Sequence, residues 1–210
     1  MRVSICPAVT APASLFGAQL SKVKDLSGRI HIDVTDGKFA PSQITSLDQI
    51  TDPKDIKIDI HLMYQRPLTQ LRKILALQPS LLIYHAEAQG YFIPFMHMLH
   101  KFNIATGIAL LPETKVQEIT PALKYLDHVL IFSGKLGYHG GKADLKLLEK
   151  VNLLRSLKPS LEIGWDGGIT DKNVKKIAEA GVNVLNVGGY IADAKDPVQA
   201  YDKLKKLVEV

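Results

Sequence analysis

A chain of 210 residues, 46% hydrophobic and 22% charged, with 15 Gly and 11 Pro, has ordinary globular usage; this excludes a disordered or fibrous polymer and leaves enough apolar side chains for a sizeable core. The 26 Lys and Arg exceed the 21 Asp and Glu by a formal +5, but the densest basic stretches, 172–176 and 203–206, fall on helical patterns as solvated faces, so a nucleic-acid partner is not expected. No apolar run approaches the ~18 residues of a membrane span and no signal-peptide core is visible, while the lone Cys6, read as a buried structural thiol, suits a reducing compartment; the expectation is a soluble, cytoplasmic protein without a membrane partner.

Short apolar or alternating runs at 3–6, 30–34, 56–63, 81–85, 105–111, 128–132, 161–165 and 182–187 predict eight strands. Between them, apolar residues recur every three or four positions at 15–26, 67–77, 91–101, 116–125, 145–157, 171–180 and 197–208, as amphipathic helices require. The connection from 36 to 54 reads mostly as loop, with a short helix near 46–50. Thr170 and Asp196-Pro197 are read as helix starts and Gly181 as a helix end. The cluster from Tyr91 to His100 reads as a buried helix face. Strands joined by helical crossovers run parallel, and eight such units without a linker predict a single (β/α)8 TIM barrel over residues 1–210. A doubly wound sheet would carry a glycine fingerprint after its first strand, which is absent here.

In a strand alternate residues share one side, so His31 and Asp33 project together while Ile30, Ile32 and Val34 face away. Asp59 and His61 repeat the arrangement on the next strand, and His85 and Glu87 close the fourth. A single His-x-Asp pair is more often a satisfied hydrogen bond than a metal site. Several on successive strands are hard to explain as packing, because each buried charge needs a partner. With Asp166 at the end of strand seven, His31, Asp33 and His61 would converge at the C-terminal mouth of a barrel. Two imidazoles and two carboxylates suit one divalent metal ion, Zn, Mn or Fe, without selecting among them.

Gly167-Gly168 after strand seven and Gly188-Gly189 after strand eight fall where barrel enzymes bind phosphate through bare backbone N–H groups. A third glycine-rich segment, 133–142, with Gly137, Gly140 and Gly141, reads either as a lid or phosphate loop or as a plain connector. No Ser-His-Asp or nucleophile-elbow pattern appears.

The blocks His31-Ile32-Asp33-Val34-Thr35-Asp36-Gly37, Asp59-Ile60-His61-Leu62-Met63, His85-Ala86-Glu87-Ala88, Gly107-Ile108-Ala109-Leu110 and Asp166-Gly167-Gly168-Ile169 resemble, in order and spacing, those of the ribulose-phosphate 3-epimerase family. The resemblance implies a barrel of the ribulose-phosphate-binding type. It also implies a divalent metal held by His31, Asp33, His61 and Asp166, with Asp33 and Asp166 doubling as catalytic acid and base. The implied reaction is a 3-epimerisation between D-ribulose 5-phosphate and D-xylulose 5-phosphate, or a related ketose phosphate, by two-aspartate proton transfer through a metal-stabilised enediolate. Substrate and phosphate contacts are expected from Met63, Gly137, Gly140, Gly141, Gly167, Gly168, Gly188 and Gly189, and a homo-oligomer is implied.

The chain also departs from that pattern. The serine-rich first loop is Pro7-Ala8-Val9-Thr10-Ala11-Pro12, with Thr10 in place of a substrate-contacting serine. Family methionines are replaced by Thr35 and Phe132, leaving Met63, and an asparagine after strand five is Leu111. The strand-six loop is rebuilt, and the usual Gly-Ser is Gly188-Gly189. These changes keep a second expectation open, a weakened or inactive barrel that binds a sugar phosphate or a protein partner. Aldol or decarboxylation chemistry is disfavoured, because the second strand lacks the Asp-x-Lys-x-x-Asp pattern of the decarboxylase relatives.

Overall fold

Eight parallel strands follow one another around a closed barrel, β1 (Ser4–Val9), β2 (Arg29–Thr35), β3 (Lys57–Met63), β4 (Leu81–His85), β5 (Ala105–Leu110), β6 (His128–Phe132), β7 (Glu162–Asp166) and β8 (Val184–Val187). The computed structural model describes residues 3–41, 44–50 and 56–209. The outer layer contains α1 (Ala13–Val23), α2 (Leu71–Leu77), α3 (Phe92–Lys101), α4 (Leu148–Leu157), α5 (Val174–Glu179), α6 (Gly189–Ala192) and α7 (Pro197–Val208). No helix among the described residues is long and apolar enough to cross a membrane.

The alternation read in β2 holds. Ile30, Ile32 and Val34 join the large apolar core with Phe16 and Leu20 of α1, while His31 and Asp33 are buried polar residues of the barrel interior. The β2–β3 register sets His31 beside Asp59 and Asp33 beside His61. Within the interior, Leu81, Ile83, Ala109 and Leu130 form a separate apolar cluster on β4 to β6, apart from the buried polar residues His31, Asp33, Asp59, His61 and Asp166.

At the N-terminal floor of the barrel, Arg29 Nε donates to Asp59 Oδ2 at 2.6 Å, its two terminal nitrogens grip both oxygens of Glu162 at 2.8 and 2.9 Å, and His128 Nδ1 lies 2.8 Å from Glu162 Oε1. Gly164 makes room for this, since a Cβ there would sit 2.5 Å from His128 Nε2. Asp59 therefore belongs to a structural network and not to the mouth. Burial alone would raise the Glu162 carboxyl, yet hydrogen bonds from His128 and Arg29 hold it well below the usual range. Its share of the stability is present above its ordinary value near 4.5 and is lost as the pH falls towards the lower folded value.

Arg29→Leu strands the fully buried Asp59 carboxylate, and its expected cost is about 3–5 kcal/mol, or roughly 10 °C in unfolding midpoint. Thermal unfolding at neutral pH checks it, and a drop of only a degree or two would show that the floor network contributes little.

Several boundaries differ from the sequence expectation. β1 runs three residues past Cys6 because Pro7, which loses only its own N–H, fits extended backbone beside Val187. Cys6 is buried, as expected. Residues 116–125 form successive 3₁₀ turns in place of an α-helix, since Pro121 inside the segment cannot donate to an α-type ladder. The 67–77 and 145–157 helices likewise begin as 3₁₀ turns at Pro67–Gln70 and Leu145–Leu147. α1 starts and stops two or three residues earlier than its apolar pattern suggests.

Thr170 is not the cap of α5. The Asn173 carboxamide accepts the Thr170 N–H at 2.8 Å, and the helix begins at Val174. Asp196 does cap α7, accepting the Gln199 N–H at 3.0 Å, and Gly181 ends the α5 segment at φ +102°. The α3 face is buried through Phe95, Met96 and Leu99, but Tyr91 and Met98 are exposed. The short helix expected near 46–50 is a 3₁₀ turn at Leu47–Gln49; 36–41 and 44–46 carry no helix or strand, as the loop reading expects, and the part of that reading at 42, 43 and 51–54 lies outside the described residues.

Candidate active site

His31 and Asp33 from β2, His61 from β3 and Asp166 from β7 meet at the C-terminal mouth, each offering one ligand atom, all within 4.8 Å of one another and all buried. Asp33 Oδ1 is the hub, 2.8 Å from His61 Nδ1 and 3.2 Å from His31 Nε2. Asp166 Oδ2 lies 3.7 Å from His61 Nδ1 and 3.8 Å from His31 Nε2. Thr10, just past β1, donates its hydroxyl to Asp33 Oδ2.

A second layer orients His61. Its Nε2 meets His85 Nε2 at 2.8 Å, and His85 Nδ1 faces Glu87 Oε2 at 3.3 Å. The Leu111 N–H donates to Glu87 Oε1 at 3.1 Å, the Thr114 hydroxyl donates to the same oxygen, and Lys150 Nζ clamps the carbonyls of Leu111, Pro112 and Thr114 at 2.7–2.9 Å. Burial opposes ionisation of Glu87, but the hydrogen bonds from His85 and Thr114 outweigh it and hold the carboxyl low.

His61 thus has a partner on each ring nitrogen, Asp33 at Nδ1 and His85 at Nε2, and His85 in turn has Glu87. Burial draws the His61 imidazole down to about 4 even though Asp33 favours its charged form, and a neutral imidazole is the form that binds a metal. The donor set therefore fits a divalent metal, with His61 held by a carboxylate-backed partner as metal-binding imidazoles commonly are.

The two aspartates are pushed in opposite directions. Burial raises both, but hydrogen bonds from His31 and His61 override it at Asp33 and hold that carboxyl far below the usual range. At Asp166 the burial is reinforced by the charge of Asp33, and the carboxyl is pushed up to about 7.

Beside the cluster a cavity of about 230 Å³ is bordered by Asp33, Asp166, Met63 and Phe132, and walled by the glycines. Gly137, Gly140 and Gly141 of the strand-six loop line it together with Gly167-Gly168 and Gly188-Gly189. Among the described residues no Lys or Arg lines this cavity, so an anion held there would rely on backbone N–H groups and on neutral or imidazole donors such as Thr170, Tyr190 and His139.

The glycines differ in what requires them. Gly167 and Gly168 adopt φ +108° and +68°, and a side-chain carbon on either would fall on the backbone of Gly134 or Ala143. The pair is the seat of the strand-six loop. At Gly188 there is ordinary room, the nearest atoms lying 3.8 Å away, whereas Gly189 leaves space for the His139–Asp193 pair at 2.8 Å. That pair ties the loop to α6, so the loop is a wall of the cavity.

Gly168→Ala should unseat this wall. The expected result is a stability loss of about 2–3 kcal/mol from the enforced left-handed backbone and the clash, together with loss of the thermal protection given by millimolar phosphate. Unchanged protection would show that the loop seat is irrelevant to anion binding.

All of the residues expected at the mouth are brought together there. The sequence reading passed over the partnership of His85 with His61, which the run of inward histidines on β3 and β4 could have suggested. It also passed over Asn186, which alternation places on the inward side of β8, two residues before Gly188.

The fold and the site together define a class: a (β/α)8 barrel with a two-His, two-Asp cluster at its mouth, beside a glycine-walled cavity that no Lys or Arg lines among the described residues. Within that class the chain belongs to the ribulose-phosphate 3 epimerase family, whose model matches residues 4–192. It is 30% identical over 185 residues to the ribulose-phosphate 3-epimerase of Helicobacter pylori, covering 85% of each chain. It is 27% identical over 202 residues to that of Bacillus subtilis, covering 90% of this chain and 93% of the relative. Among solved structures, 3-keto-L-gulonate-6-phosphate decarboxylase from Vibrio cholerae aligns with a TM-score of 0.75 at 13% identity, over 100% of this chain and 98% of the other. 3-Hexulose-6-phosphate synthase from Salmonella typhimurium aligns with a TM-score of 0.72 at 14% identity, over 98% of each. These two likenesses concern the barrel fold alone.

Proposed function

We propose that this chain is an isomerase, a ketose-phosphate 3-epimerase, interconverting D-ribulose 5-phosphate and D-xylulose 5-phosphate. The observation that carries the reading is two carboxylates, Asp33 and Asp166, supplied by different strands to one buried cluster that opens onto the glycine-walled cavity. Inverting a carbon next to a ketone needs a proton removed from one face and another delivered to the opposite face, so two separate proton-transfer groups are required. Asp33 and Asp166 take these roles, exchanging acid and base with the direction of reaction.

His31, Asp33, His61 and Asp166 would hold one Zn, Mn or Fe ion, which when bound would stabilise negative charge developing on the substrate oxygens. The backbone at Gly167-Gly168 and Gly188-Gly189, with Gly137, Gly140 and Gly141 of the strand-six loop, receives the phosphate, and Met63 packs against the sugar chain. Phe132, which also borders the cavity, excludes water.

The test is incubation of the metal-replete protein with D-ribulose 5-phosphate in deuterated water. Deuterium at C3 and formation of D-xylulose 5-phosphate are expected. No C3 exchange with this or any other ketose 5- or 6-phosphate would end the reading.

A second reading, a barrel that binds a sugar phosphate or a protein partner without turnover, draws on Thr10, whose hydroxyl engages the Asp33 oxygen. A protein that holds no stoichiometric metal and performs no exchange, but is still stabilised by phosphate in a melting experiment, would favour it.

A further inference from the structure

Asn186 on β8 is 2% exposed and lines the cavity, yet neither its Oδ1 nor its Nδ2 has a hydrogen-bond partner. Among the described residues it is the one side chain with two such orphaned atoms. A buried amide without partners is destabilising, and an apolar residue of the same size would avoid the penalty. Its neighbours Leu185 and Val187 belong to the outer apolar core, so alternation puts Val184, Asn186 and Gly188 on the inward side. The strand register sets Asn186 beside Asp166 of β7 and Cys6 of β1. Asn186 therefore stands between a carboxylate of the candidate reaction centre and the glycine pair expected to receive phosphate.

A substrate spanning those two points must carry its connecting carbon past this amide. An amide offers one donor group and one acceptor, and a hydroxyl is the substrate group that uses both. We infer that Asn186 is a specificity-determining residue that hydrogen-bonds the hydroxyl on the carbon between the reacting centre and the phosphate-bearing carbon, the C4 hydroxyl of a pentulose 5-phosphate. The inference rests on the sugar-phosphate reading for its substrate class. It concerns binding, so it is tested apart from turnover.

The experiment compares the metal-loaded wild type with Asn186→Leu by calorimetric titration of ribitol 5-phosphate, which keeps the hydroxyls but cannot react, and of inorganic phosphate. The variant should bind ribitol 5-phosphate about 10- to 100-fold more weakly. Its phosphate affinity should stay within about twofold, and its unfolding midpoint should be unchanged or higher, because the orphaned amide is gone. A purely structural asparagine would instead lower the midpoint and weaken both ligands in parallel.

A control independent of the variant's folding uses the wild type alone: 4-deoxyribitol 5-phosphate should bind about 10- to 100-fold more weakly than ribitol 5-phosphate. Equal affinities for the two polyol phosphates, a parallel loss of phosphate binding in the variant, or no binding of ribitol 5-phosphate to the wild type would each overturn the inference. Absence of C3 exchange would instead count against the epimerase reading and leave the affinity ratios to decide the role of Asn186.

Discussion

Asp166→Asn is expected to lower C3 deuterium exchange by about a thousandfold or more, the scale of losing a positioned general acid or base, while leaving the barrel folded. The substitution keeps the shape of the side chain and removes its ability to carry a proton between solvent and substrate. In the metal-free protein it should not destabilise the barrel, because Asp166 is raised by burial and by the charge of Asp33 and a neutral amide relieves both; in the metal-loaded protein it should weaken the hold on the ion. Asp33→Asn is a useful contrast: it removes the negative charge of the carboxylate whose Oδ1 His31 and His61 share at 3.2 and 2.8 Å, so both stability and exchange should fall. Proton exchange by magnetic resonance and thermal unfolding, measured on the same samples, separate the two cases. Turnover retained in Asp166→Asn would remove it from the proton-transfer role.

Stripping divalent metal with a chelator, followed by its removal, should abolish exchange and lower the unfolding midpoint. A ligand present at about a thousand times its dissociation constant stabilises by about 4 kcal/mol, which for a chain of this length is roughly 8–16 °C. The physical reason lies in the buried cluster, whose four ligand atoms lie within 4.8 Å of one another and in which the charge of Asp33 bears on Asp166, a repulsion that a bound cation would offset. Readdition of Zn, Mn or Fe should restore both properties, and elemental analysis of the isolated protein identifies the resident ion. Glu87→Gln, which unseats His85 and through it His61, should weaken metal affinity about 10- to 100-fold. Full activity and an unchanged midpoint after exhaustive chelation would defeat the metal assignment.

The parts legible in the sequence are those governed by short-range periodicity. The Ile30, Ile32, Val34 alternation made the inward placement of His31 and Asp33 readable, and the same rule placed His61. Where a local feature competed with periodicity, the reading was less accurate. Pro121 turned a helix-like apolar pattern into 3₁₀ turns, Pro7 disguised the continuation of β1, and the Asn173 carboxamide displaced the start of α5. The departures from the family pattern were legible as substitutions, but not their outcome: Thr10 engages Asp33, and the rebuilt strand-six loop rests on Gly167-Gly168.

The sequence by itself determined the eight alternating units, which side of β2 and β3 faces inward, and the four side chains that make up the candidate metal cluster, because side-chain direction along a strand depends only on neighbouring residues. Which inward residues share a level, and which loop lies over them, depends on register and on barrel closure, properties of pairs of strands far apart in the chain. Only the tertiary structure could put Asp59 on the floor with Arg29 while its near neighbour His61 reaches the mouth. It alone linked Glu87 through His85 to His61, and left the Asn186 amide without a partner in the cavity between Asp166 and Gly188.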